Sequence, residues 1–91
     1  MATRQEVYEA IDTERDYQDR IIANDPTRHD AVVDADHSVG AYLTMLDTYL
    51  RRAQDAWTDH AGHAKALEVV RKIAGIAVHC LEDHGAPKRQ L

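Results

Sequence analysis

Along the chain the apolar positions fall into three runs of helical period, separated by two breaks. A helix repeats about every 3.6 residues, so a face that is to be buried shows apolar residues three and four apart. In the first run Val7, Ala10, Ile11, Tyr17 and Ile21 take that spacing, with Ile22 beside them. Thr3 and Glu6 precede it with the spacing of a capping box, in which each side chain satisfies an end amide of the helix. Continued, the stripe passes through Glu14 and Gln18, polar groups that must be paired or face a cavity. Asn24-Asp25-Pro26 ends the helix, because proline has no amide proton and disfavours a helical residue before it.

The second run carries Val39, Leu43, Leu46, Leu50, Ala53 and Trp57 as one clean stripe, flanked by Tyr42 and Tyr49. Residues 36 to 38 all have capping side chains. Thr44, Asp47, Thr48, Arg51 and Arg52 take the opposite side. The third run ends near His84, with Gly85 placed as a left-handed cap and Pro87 beyond it. Within it Ile73-Ala74-Gly75-Ile76-Ala77-Val78 is apolar on every side and requires cover on every side. Two helices of one chain supply that cover poorly, and small residues let another helix come close. The pattern predicts helices over 3–23, 37–57 and 62–84 with a loop over 24–36, long enough to suggest function. The expected fold is all-α, a three-helix unit that assembles into a homo-oligomeric bundle through helix three.

Size points the same way. With 91 residues the chain is one domain, and such a domain buries only about 60–65% of its unfolded surface. Cys80 is the single cysteine, so no intrachain disulfide supports the core, in keeping with a reducing cytosol. No signal peptide and no apolar stretch of membrane-spanning length is evident, so no membrane partner is expected. The formal charge of −5 disfavours general nucleic-acid binding, since phosphates repel it, and no basic recognition helix is present. Basic residues do pair locally at Arg51-Arg52, Arg71-Lys72 and Lys88-Arg89. Such pairs usually lie on solvated helix surface, yet they can hold a small phosphate-bearing molecule.

Side chains with chemical potential are few. His29, His37, His60, His63, His79 and His84 show no paired metal-ligand spacing. His60 with His63, and His79-Cys80 with Asp83-His84, read better as packed or surface groups, so no metal and no cofactor is expected. Cys80 lies in an apolar helix that favours the neutral thiol, and Trp57 and the tyrosines of helix two read as core. Glu14 and Gln18 leave two accounts open. One is a polar bridge to Arg71 or Lys72. The other is a polar pocket between helices, where Gln18 bonds a ligand and Glu14 orients an arginine.

The blocks Ile11-Asp12-Thr13-Glu14-Arg15-Asp16-Tyr17-Gln18-Asp19 and His37-Ser38-Val39-Gly40, with the run from Arg71 to Pro87, resemble small uncharacterised proteins of tailed phages. More distantly the layout resembles phage relatives of MazG-type all-α nucleotide pyrophosphohydrolases. Those enzymes hold Mg²⁺ on carboxylates at helical spacing and build their sites from several subunits. This chain departs from that pattern. Helix two keeps only Asp47 and Asp55, separated by Arg51-Arg52, and three residues after Glu68 stands Arg71, which repels Mg²⁺ and attracts phosphate.

The resemblance therefore implies a non-enzymatic phage protein of the host cytoplasm that sequesters a nucleotide-derived signalling molecule of host defence. Arg71 and Lys72, aided by Lys88 or Arg89, would meet phosphate. Tyr8 or Tyr17 would stack on a base, while Gln18, His37 or Ser38 would donate or accept hydrogen bonds and Glu14 would orient an arginine. An alternative is an interaction protein that inhibits a host protein through an apolar helix face. A second is a metal-dependent pyrophosphohydrolase, which requires Glu14, Asp47, Glu68 and Glu82 or Asp83 to converge.

Overall fold

The computed structural model describes residues 1–24, 37–59 and 62–90, with the side chains of residues 22–24 outside the description. Residues 25–36 of the expected loop over 24–36, His29 among them, and His60 therefore fall outside the described residues, while Asn24 is helical. Three helices make up the fold: α1 (Arg4–Asn24), α2 (Val39–Thr58) and α3 (Gly62–His84). The architecture is all-α, as the periodicity predicts. Local chemistry fixes the ends. Thr3 Oγ1 accepts from the Glu6 amide at 3.1 Å while Glu6 Oε1 accepts from the Thr3 amide at 3.3 Å, completing the capping box. Ser38 Oγ caps α2 by accepting from the Ala41 amide at 3.1 Å. Gly85, at φ 113°, ends α3 with its amide on the Leu81 carbonyl. That left-handed conformation strains any residue with a Cβ.

Helix α3 lies in the middle. Both α1 and α2 pack on it, and no Cα of α1 comes within 8 Å of one of α2. On the α2 side Tyr42 and Ile76 are fully buried, with Met45, Leu46, Tyr49 and Cys80 packed around them and Ile21 of α1 reaching the same cluster. Cys80 is half-buried packing, in agreement with its apolar setting.

Two expectations need correction. The stripe of α2 is not the core of the chain. Tyr42 and Ala53 are buried, but Leu43 is 60% exposed, Leu50 50% and Trp57 63%, with Val39 also exposed. Helix α3 contacts the face turned some 100° from Leu43, centred on Tyr42, Met45 and Tyr49, and the stripe lies at the margin of that contact. The apolar run of α3, in turn, finds its cover within one chain: Gly75 and Ile76 are buried, and Ile73, Ala74, Ala77 and Val78 are half-buried. The helix admitted by Gly75 is α1 of the same chain.

Candidate functional site

The α1–α3 seam is built of polar side chains. A Cβ at Gly75 would stand 2.7 Å from Glu14 Cγ and 2.9 Å from Gln18 Nε2, so this glycine alone lets Glu14 and Gln18 lie flat on α3. The two are buried with Arg15, the three polar residues coming from one turn of α1. Buried polar groups require partners, and they have them. Glu14 Oε1 accepts from Arg71 Nε at 3.1 Å. Gln18, 3% exposed, accepts from Arg15 Nη1 at 3.1 Å and donates to Glu14 Oε2 at 3.4 Å. Arg15 also pairs with Asp19 at 3.0 Å and grips Glu82 through Nε and Nη2. Burial works to lower the Arg15 pKa, but hydrogen bonds and charge from Glu82 and Asp19 outweigh it and leave the guanidinium above its ordinary value.

Beside this seam opens a cleft of about 460 Å³ lined by Thr13, Glu14, Tyr17, Arg71 and Lys72. The Glu14 ion pair uses Arg71 Nε, and 47% of the Arg71 side chain stays exposed. The guanidinium is thus held by a buried carboxylate while about half of the side chain stays exposed at the cleft it lines. Lys72 also lines the cleft, with its Nζ 5.4 Å from the ring centroid of Tyr49 on α2, a cation–π contact. Two cations against one carboxylate leave the cleft net positive in a net-negative chain, a local setting that favours an anion. Tyr17 is half-exposed at its edge.

Four of the expected site residues therefore converge here: Glu14, Tyr17, Arg71 and Lys72. Gln18 lies beneath them with its side-chain amide engaged on both ends inside the seam. The others stand elsewhere. Tyr8 is exposed nearer the start of α1, roughly 9 Å along the axis from Glu14. His37 and Ser38 sit where α2 begins, at the His84 end of α3, about 20 Å along that helix from Arg71. There the Ser38 hydroxyl caps α2, and the His37 carbonyl accepts from His84 Nε2 at 2.8 Å. Lys88 and Arg89 are exposed beyond Gly85, past the same end.

The carboxylates of the hydrolase reading are engaged separately. Glu14 pairs with Arg71, Asp47 with Arg51, Glu68 with Lys65 and Glu82 with Arg15. Asp83 accepts from the Tyr42 hydroxyl and lies 3.6 Å from His79 Nε2. Among the described residues no three His, Cys, Asp or Glu side chains gather as a metal site. His79, from the loose His79-Cys80-Asp83-His84 group, is buried beside Tyr42, and its Nδ1 meets no hydrogen-bond partner among the described residues. Burial, then the charge of Arg15, holds its pKa below the ordinary value. Burial and the Asp83 bond push the Tyr42 phenol well above its own.

The sequence reading missed Arg15, the most connected side chain of the seam, with its partner Asp19, weighed Glu82 only as a metal ligand, and missed Thr13 at the cleft. A signal existed: Glu14, Arg15, Gln18 and Asp19 stand three and four apart, opposite Gly75, the one glycine in the interior of α3. No family model, no curated protein and no solved structure matches this chain.

Proposed function

We propose that this protein binds a small phosphate-bearing, nucleotide-derived molecule in the Thr13–Tyr17–Arg71–Lys72 cleft and sequesters it without turnover. The observation that carries the reading is Arg71, held by the buried Glu14 and lining the cleft with Lys72 while about half of its side chain stays exposed. Arg71 supplies a planar fork for phosphate and Lys72 a point charge. Tyr17 offers a ring face on which a base can stack. Turnover would need carboxylates free to hold Mg²⁺ together, and those proposed for that role each serve another partner. In keeping with the resemblance to tailed-phage proteins, such a binder would act in the host cytoplasm and withdraw a signalling molecule of host defence. Within the same proposal the chain acts as a homo-oligomer.

The test is a thermal-shift screen of the full chain against ADP-ribose, cyclic dinucleotides and nucleoside triphosphates, with and without Mg²⁺. A ligand at a hundred times its Kd stabilises the fold by about 2.7 kcal/mol, a shift of several degrees. A hit recovered chemically unchanged, and lost in Arg71→Ala, supports the reading. A hit that survives Arg71→Ala refutes the anchor, and hydrolysis of the hit refutes sequestration. The second reading, inhibition of a host protein through an apolar face, draws on a separate observation: Leu43, Leu50, Trp57, Leu67 and Val70 are all about half exposed or more. Pull-down of one stoichiometric host protein, lost in Trp57→Ala, would favour it.

A further inference from the structure

On α2, Leu43, Leu50 and Trp57 stand seven apart and project from the flank that neither α1 nor α3 covers. Together with Val39, Leu46 and Ala53 they form an apolar repeat alternating four and three residues, the seam of a helix that pairs with another helix. Helix α3 satisfies only the Ala53 and Leu46 edge of it. The open flank continues across to α3 through an apolar groove of about 490 Å³ between Trp57 and Val70.

From these features we infer that a second copy of this chain covers the flank, with the two α2 helices antiparallel about a two-fold axis at Leu50. The inference rests on the oligomeric part of the proposed function and is independent of the ligand cleft. Antiparallel pairing sets Leu50 against its own copy and Leu43 against Trp57, so a smaller side chain meets a larger one at each end. It also gives the polar margin a partner. Asp47, exposed and paired with Arg51 on one chain, stands some 60° round the helix from Leu50, and at about 1.5 Å per residue along opposed axes each Asp47 comes level with Ala53 of the other copy, about 3 Å along the axis from its Arg51. A two-fold contact requires such self-complementarity, in which each patch meets its own duplicate. Parallel pairing would instead direct Asp47 toward positions 42 and 49, which are committed to α3.

The experiment uses the full chain. Sedimentation velocity and the emission of Trp57, the only tryptophan, are followed from low micromolar to several hundred micromolar. The expected result is a concentration-dependent dimer with a blue shift as Trp57 becomes covered. Leu50→Lys raises the dimer Kd by at least about 30-fold, as expected of a central anchor. Because Leu50 is half exposed in the single chain, helical circular dichroism stays unchanged. In a Cys80→Ala background, oxidised Leu50→Cys cross-links to itself, and Leu43→Cys cross-links only when mixed with Trp57→Cys. A monomer throughout the range overturns the inference. So does a dimer that Leu50→Lys leaves intact, or a Leu43→Cys variant that cross-links to itself, the sign of parallel pairing. Ligand binding measured on Leu50→Lys separates the two proposals, since loss of the dimer with the cleft still active sinks neither.

Discussion

Where α3 meets α2, the contact is Tyr42 and Ile76, fully buried, with Met45, Leu46 and Cys80 around them. Where it meets α1, the contact is Glu14, Arg15 and Gln18 laid over Gly75. Removal of apolar surface from water is non-directional, and it holds the first seam together without dictating much beyond proximity. The second seam gains little net energy from each hydrogen bond but tolerates only one register, because a slip by one position strands buried charges. One flank of α3 thus supplies cohesion. The other holds an arginine at a fixed angle beside a cleft, which is what binding an anion requires.

The largest effect should come from the apolar seam. Ile76→Ala removes the most buried aliphatic side chain among the described residues and is expected to cost about 2–5 kcal/mol in urea unfolding. A thin core has no second cluster to absorb the loss, so both α2 and α3 should melt together. Gly75→Ala tests the polar seam by the same measurement. Its methyl would sit within 3 Å of Glu14 and Gln18, and overpacking of that kind costs about 1–3 kcal/mol, against roughly 1 kcal/mol regained in helix propensity. The comparison predicts that α1 amides lose hydrogen-exchange protection while those around Ile76 keep theirs. Equal loss in both would mean that the two seams are one cooperative unit and the contrast drawn between them is false.

His79 links the seams, since it packs on Tyr42 yet feels the charge of Arg15. With its folded pKa held below the unfolded value of about 6.5, the unfolded chain takes up a proton that the native chain resists. Stability is therefore full above that pH and declines as pH falls through and below it. His79→Gln, which cannot charge, should flatten this part of the profile at some cost to stability at neutral pH. A profile between pH 7 and 5 that is unchanged in the variant would remove His79 as its cause.

Much of this fold is legible in the amino-acid sequence, because helix ends are set by local chemistry. The Thr3–Glu6 box, the Ser38 cap and the Gly85 stop each act within four residues, and the expected bounds of 3–23, 37–57 and 62–84 lie within two residues of the helices found. What a helix faces is decided farther away. The clean stripe through Leu43, Leu50 and Trp57 has the right period and sits at the edge of the wrong surface, since a period locates an apolar face without naming the helix that covers it. Arg15 was hidden for a related reason. Its burial depends on Glu82, distant along the chain, and a charge on a helix reads as solvated until that partner is in place. Glu14 was legible because it interrupted an apolar stripe. The bridge to Arg71 is the account the geometry bears out, and the same pair walls a cleft, whereas Gln18 bonds Arg15 and Glu14 inside the seam.

The smallest expected effect on stability discriminates most about function. Arg71→Lys keeps the charge but replaces a planar fork by a point cation. The Glu14–Arg71 pair is half exposed at its arginine end, and exposed pairs contribute about 0–1 kcal/mol, so the unfolding midpoint should hardly move. If Arg71 merely satisfies Glu14, lysine at this position suffices and nothing else changes. If Glu14 aims the guanidinium at an anion, ligand affinity should fall at least tenfold while the fold stays intact, and Glu14→Gln should weaken binding by a similar route, through loss of aim. A variant pair in which Arg71→Lys binds normally and Glu14→Gln only destabilises would return both residues to a structural role. The polar seam would then be a device for register alone, with the cleft a consequence of how α1 crosses Gly75.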